Sequence, residues 1–212
     1  MSTPISFDQS IRSFLKEAGS ASPTPGGGSI AAVAAALGAA MTAMVGSLSQ
    51  SSKFAEVKPQ MDAALAKMNA LTAECEQLMG DDITAFDAYM AALKLPKETE
   101  EQKLLRKQAL QQAAAGAIAV PLRLLEACAG GIAVAGTIAE IANANVISDL
   151  GIGVLMLEAA AQSALLTVEI NLPQIKDEGE RSRCFTQADS LIRQMEAQKN
   201  SLLAVVRKRM NE

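Results

Sequence analysis

Apolar side chains recur at three- and four-residue steps along most of the chain. Met61, Leu65, Met68, Leu71, Cys75 and Leu78 form one such series, the mark of a helix with one face inward. Gly80 interrupts it, and Ile83, Phe86, Met90 and Leu93 set up a second face. Pro96 in "KLPKETEEQ" stops that helix, and Thr99 or a neighbour starts the next. Leu104 to Ala119 is helical again, and Pro121 is expected to kink or end it. "CAGGIAVAG" is broken by glycines, "NANVISD" reads as loop, and residues 150–170 form another apolar helix closed by "NLP". From Glu180 to Arg209 the pattern is amphipathic, with Ala188, Leu191, Ile192, Met195, Leu202, Val205 and Val206 inward.

Near the N-terminus, "SFDQSIRSFLKEAG" reads as a short helix. Ser6 and Gln9 have capping-box spacing, Gly19 is a stop, and Phe7, Ile11, Phe14 and Leu15 make the apolar face. Residues 30–48 are apolar or small almost throughout. Their length would cross a bilayer, and Gly38, Thr42 and Gly46 have small-xxx-small spacing. Alanine is a weak hydrophobe, however, and no basic flank marks a cytoplasmic side. A central buried helix is the preferred reading. No stretch alternates with period two for long enough to make a strand. The expectation is an all-α fold: a single domain over residues 1–212, an up-and-down bundle of about six helices around the Ala-rich one.

Composition narrows the chemistry. Half of the 212 residues are hydrophobic, only 3% are aromatic, and alanine supplies about a fifth, well above ordinary usage. Such a chain favours helices packed backbone near backbone. The net charge of −4 and the lack of a basic stripe argue against a nucleic-acid surface. Cys75, Cys128 and Cys184 are isolated and odd in number, so buried reduced thiols and a cytoplasmic location are expected. "MSTPISFDQS" has no basic start followed by an apolar run, so no leader is expected. Histidine is absent. Ser-His-Asp and Cys-His catalysis and histidine metal sites are thereby excluded, leaving Asp, Glu, Lys, Tyr or Cys for acid–base work.

Four stretches could carry function. "SPTPGGGSIAAVAAALGAAM" fails the G-x-x-x-x-G-K-[ST] test for a phosphate loop. Its glycines could serve a turn or a close backbone approach, with Ser29 capping the next helix, or could offer amides to an anion or carbonyl. "DLGIG" has Met156 where a third glycine should stand, so Asp149 is either a helix N-cap or a functional carboxylate. "GDDITAFDAYM" sets Asp82 at the margin of an apolar face, with Tyr89 further along. Asp82 is either a cap after Gly80 or a carboxyl whose pKa is raised by apolar neighbours. "KLPKETEEQKLLRK" is a solvated face or a holder of an anionic tail.

Together, "SPTPGGGSIAAVAAALGAAM", "DDITAF", "KLPKETEEQ" through Arg106, "VPL" at 120–122, "NANVISDLGIGVLMLEAA" and "INL" at 170–172 resemble the cyclodeaminase/cyclohydrolase family of folate one-carbon enzymes. That family includes the cyclodeaminase domain of formiminotransferase-cyclodeaminase and free-standing methenyltetrahydrofolate cyclohydrolases. The resemblance implies an all-helical homodimer acting on a tetrahydrofolate derivative, with no metal or cofactor and no membrane. It implies a pocket of Gly26, Gly27, Gly28, Ser29, Lys53, Asp82, Arg106, Asn145 and Asp149. Asp149 would stabilise the methenyl cation or act as base, and Asp82 would exchange a proton with the leaving nitrogen, or the roles would be swapped. Lys53 and Arg106, with Lys94 or Lys97, would attract glutamate carboxylates. The chain departs from the family at "SQSSKFAEV": Ser51 and Ser52 stand where relatives often have lysines, and Phe54 where they have tyrosine. With no room here for a formiminotransferase domain, the expected activity is the cyclohydrolase. A free-standing cyclodeaminase and a non-catalytic helical scaffold or membrane-associated bundle are the alternatives.

Overall fold

The computed structural model describes residues 5–211. Residues 1–4, on which part of the leaderless reading rests, lie outside them, as does Glu212. The described residues form six α-helices and no strand: α1 (Ile11–Ala18), α2 (Gly27–Ser47), α3 (Lys58–Leu93), α4 (Glu100–Ile138), α5 (Ile147–Asn171) and α6 (Glu178–Arg209), with short 3-10 turns at Ser52–Val57, Ala144–Val146 and Leu172–Gln174.

Helices α2, α3, α4 and α5 make a four-helix ring. α2 packs between α3 and α5, α4 closes the ring opposite, and α6 covers α4 and α5 from outside. One continuous core runs through it, from Ala35 and Ala39 through Met68 and Leu78 to Leu125, Leu157 and Met195. α2 is buried on the side facing the ring. Its other side leaves Ile30, Leu37 and Leu48 between 42 and 53% exposed.

Several boundaries differ from expectation. Gly80 does not break α3, which continues for 36 residues; Thr84 is bonded back to the Gly80 carbonyl and the long packing partners override a weak helix former. Asp82 is therefore mid-helix and caps nothing on its own helix. α4 likewise runs through Pro121 and the glycine-rich "CAGG" segment for 39 residues, because Pro121 is buried against the core side of the ring. The N-cap of α1 is Ser10, whose side chain accepts from the Ser13 amide, and Ser6 only closes a preceding turn. Phe7 and Phe14 pack inward as expected, but Ile11 and Leu15 are exposed. Gly26, not Ser29, is the N-cap of α2. Asp149 lies in the first turn of α5, whose N-cap is Val146. There its charge suits the helix dipole. The Thr99 capping box of α4 forms with Gln102.

The backbones of α2 and α5 approach closely because glycine meets glycine. A Cβ added to Gly38 would lie 2.7 Å from the Gly153 carbonyl oxygen and 2.9 Å from Leu157 Cγ. One added to Gly153 would lie 2.7 Å from Thr42 Oγ1. Gly38→Ala is expected to cost about 1–3 kcal/mol by overpacking, outweighing the roughly 1 kcal/mol gained in helix propensity. Urea unfolding checks this.

Cys75 and Cys128 are buried and Cys184 is half-buried. Burial pushes the Cys75 thiol up to about 12 and raises that of Cys128 as well. Both are inert packing groups at neutral pH.

Candidate functional site

The "PGGGS" stretch has no glycine at positive φ, so no left-handed turn explains the triplet. Close approach explains one of the three. A Cβ on Gly28 would overlap the Asp82 carboxylate, whereas one on Gly27 would meet nothing. α2 and α3 run antiparallel, which brings the first turn of α2 against the last third of α3. Ser29, fully buried, donates its hydroxyl to Asp82 Oδ2 at 2.9 Å. Asp82 thus sits across the start of α2, held from a neighbouring helix.

Two effects compete at this carboxyl. Burial raises its pKa above the ordinary value, while hydrogen bonds from the Ser29 side chain and backbone pull it back. Burial is the larger, so Asp82 holds its proton more tightly than a solvated aspartate. It opens on a cavity of about 310 Å³ lined by Gly26, Gly27, Gly28, Phe86, Tyr89, Val120, Thr167 and Asn171 among others.

Tyr89 also lines a second cavity of about 540 Å³, where Lys97, Lys103, Arg106, Lys107 and Lys176 converge and no carboxylate is among the lining residues. Arg106 is partly committed: its guanidinium donates to the Leu93 carbonyl at 3.3 and 3.4 Å, closing the end of α3. Lys103 pairs with Glu100 at 2.6 Å. The Asp82 cavity and this cationic cleft are neighbours that share Tyr89 as a lining residue, and the pair makes up the recess. Lys94 caps the end of α3 and is exposed, outside the cleft.

The remaining predicted residues lie elsewhere in the same chain. Lys53 is exposed on the 3-10 turn after α2, Asn145 is exposed on the turn before α5, and Asp149 follows it. Asn143 fixes these turns, donating its side-chain amide to the Leu48 carbonyl and its backbone amide to Ser49 Oγ. This group is level with the C-terminal end of α2, whereas Asp82 is level with its first turn. At 1.5 Å per residue the two aspartates are about 25 Å apart along the bundle axis. One chain therefore sets Gly26–Gly28, Asp82 and Arg106 along the recess, with Ser29 buried behind Asp82, but not Lys53, Asn145 or Asp149.

Lys103 and Lys107 belong to the mixed-charge run that the sequence offers as a holder of an anionic tail, whereas Lys176, Thr167 and Asn171 are not among the site residues it suggests. Lys176 and the end of α5 reach the recess only because α5 returns antiparallel beside α2 and α4.

The sequence profile described as formiminotransferase-cyclodeaminase matches residues 10–207. A methenyltetrahydrofolate cyclohydrolase from Methylorubrum extorquens is 35% identical over 96% of this chain and 99% of its own length. The formimidoyltransferase-cyclodeaminase of Rattus norvegicus is 34% identical over 91% of this chain, and this chain spans only 36% of its length. Among solved structures, the formiminotetrahydrofolate cyclodeaminase of Thermotoga maritima superposes with a TM-score of 0.78 at 26% identity, over 96% of both chains.

Proposed function

From the premise that this chain belongs to the formiminotransferase-cyclodeaminase family, we propose that it is a folate one-carbon enzyme that hydrolyses methenyltetrahydrofolate to formyltetrahydrofolate. The observation that carries the reading is the recess itself. A carboxyl whose pKa is raised by burial stands in a compact cavity, and Tyr89 in its wall also lines a cleft where five cationic side chains converge. That arrangement fits a heterocycle joined to a tail of carboxylates.

The chemistry needs three proton movements. Water attacks the bridging carbon of the methenyl cation and gives a proton to a base, leaving a hydroxyl on that carbon. The bond from that carbon to one ring nitrogen then breaks: the nitrogen takes a proton, and the hydroxyl gives up its own to leave the formyl carbonyl. Asp82, whose pKa is raised, is suited to protonating the nitrogen. Asp149 is the base or the electrostatic partner of the cation. No metal or cofactor enters this scheme.

A homodimer reconciles the two distant aspartates. α2 carries no charged residue, and with α5 it presents Ile30, Leu37, Leu48, Ile152, Leu155, Leu166 and Ile170 to the outside, each at least 42% exposed. By length and composition, three helical stretches could cross a membrane. We assign the face to a second copy instead, because it runs from the Asp82 recess at one end to the Asp149 group at the other. A two-fold axis across the middle of α2 sets the Asp149, Asn145 and Lys53 end of one subunit against the recess of its partner. The proposed enzyme is accordingly a cytoplasmic dimer. Its expected behaviour is solubility without detergent and twice the chain mass by light scattering.

The deciding assay follows the ultraviolet chromophore of methenyltetrahydrofolate. Loss faster than the spontaneous rate is expected with the purified protein. No acceleration, together with chromophore growth from formiminotetrahydrofolate, would transfer the assignment to the cyclodeaminase, a reading that the Thermotoga maritima structure supports. For the cleft, the double change Lys97→Gln with Lys176→Gln is expected to raise KM about three- to tenfold with little effect on kcat. Added salt should shrink the difference.

A further inference from the structure

Two short motifs, "VPL" at 120–122 and "INL" at 170–172, have no part in the proton chemistry, yet they meet at the wall of the Asp82 cavity. Pro121 has no N–H, so within α4 it cannot donate to the carbonyl four residues earlier, that of Ala117. A carbonyl freed inside a packed bundle needs another donor. The side-chain amide of Asn171, the last residue of α5, supplies one: Nδ2 lies 3.5 Å from the Ala117 oxygen and 2.8 Å from the Thr167 oxygen. Both amide protons are thus directed at backbone carbonyls. Rotating the amide by half a turn would set its oxygen against two other oxygens, which fixes which end is which.

The opposite end, Oδ1, receives no hydrogen bond from any described residue, and it is not among the buried atoms lacking a partner. It is an open acceptor on a residue that lines the Asp82 cavity, as do Ala117 and Val120 beside the proline. Asp82 stands in the same cavity with its Oδ2 already engaged by Ser29.

We propose that Asn171 is a specificity-determining residue, whose side-chain carbonyl, oriented by the carbonyl that Pro121 frees, accepts a hydrogen bond from the N–H edge of the bound heterocycle. This rests on the folate reading above. In that ligand the edge is the amino group on C2 and the adjacent ring N3–H. Asn171 contributes to choosing the ligand and its orientation and takes no part in proton transfer. A neutral amide acceptor also leaves Asp82 as the one carboxyl on this cavity's lining.

The test compares the affinity of the full-length protein for tetrahydrofolate, for its analogue with methyl in place of the C2 amino group, and for its N3-methyl analogue. In the wild type at least one replacement should weaken binding about tenfold, the usual scale of one lost hydrogen bond in a fixed site. In Asn171→Ser the same replacement should cost nothing. A residue that served only to cap α5 would change thermal stability and bind all three probes proportionally. Pro121→Ala is the second variant. It returns an N–H to the Ala117 carbonyl, improves the helix locally and releases the Asn171 amide, so discrimination should fall in the same direction. Unchanged discrimination in Asn171→Ser overturns the inference; if that variant does not fold, unchanged discrimination in Pro121→Ala does so. A wild type that turns over methenyltetrahydrofolate while both variants keep full discrimination removes this inference alone. A wild type that binds none of the probes removes the folate reading with it.

Discussion

Asp82→Asn is expected to lower turnover of methenyltetrahydrofolate by about 10²–10⁴-fold, the range for loss of a positioned acid or base, while leaving the protein at least as stable as before. The first half follows from Asp82 being the carboxyl held at the cavity by Ser29 and closely faced by Gly28. The second follows from linkage. The folded-state pKa of Asp82 is raised by burial, so the folded protein binds this proton more tightly than the unfolded chain does. The protonated group favours folding, and that contribution is lost as pH rises through the folded-state pKa, above the ordinary value of 3.8. An amide, which never ionises, escapes that loss. Thermal unfolding of both proteins from acid to neutral pH should show the variant gaining on the wild type as pH rises. A variant with lowered stability and near-normal turnover would make Asp82 a structural brace for the start of α2 rather than a participant in the chemistry.

Co-expression of Asp82→Asn chains with Asp149→Asn chains is expected to restore activity that neither has alone. If each site takes Asp82 from one subunit and Asp149 from the other, a mixed dimer holds one site with both changes and one with neither. Random pairing makes half of the dimers mixed, so about a quarter of the wild-type activity per chain returns. The separation of about 25 Å along the bundle axis in one chain is the reason for proposing this arrangement. If mixed preparations are no more active than the two variants measured apart, the two-fold site is wrong, and Asp149 must act in its own chain or not at all. Gel filtration of each preparation separates that outcome from failure to dimerise.

Much of this molecule was legible in the residue order, and the misreadings are as informative as the successes. The face of α3 was plain from Met61 to Leu78 because helical periodicity is a property of near neighbours. Gly80 and Pro121 were read as breaks because each is unfavourable in an isolated helix. In the bundle, packing along the full length of α3 and α4 outweighs those local costs, which a window of a few residues does not contain. The place of Ser29 after the glycines leaves a helix cap and a pocket residue both open, and its hydroxyl is committed to a residue 53 positions away.

The sequence by itself determined the helical class, the Ala-rich helix with its small-residue spacing, the absence of histidine chemistry and the set of residues worth testing. Each of these depends on residue type and on spacing within one helix. Only the tertiary structure decided which candidates meet. Antiparallel packing put Asp82 at one end of α2 and Asp149 at the other, brought Lys176 beside Arg106, and set Asn171 against the carbonyl that Pro121 leaves free. The level at which two helices meet is fixed by side chains far apart in the chain, Gly38 against Gly153 above all, and no local pattern encodes it.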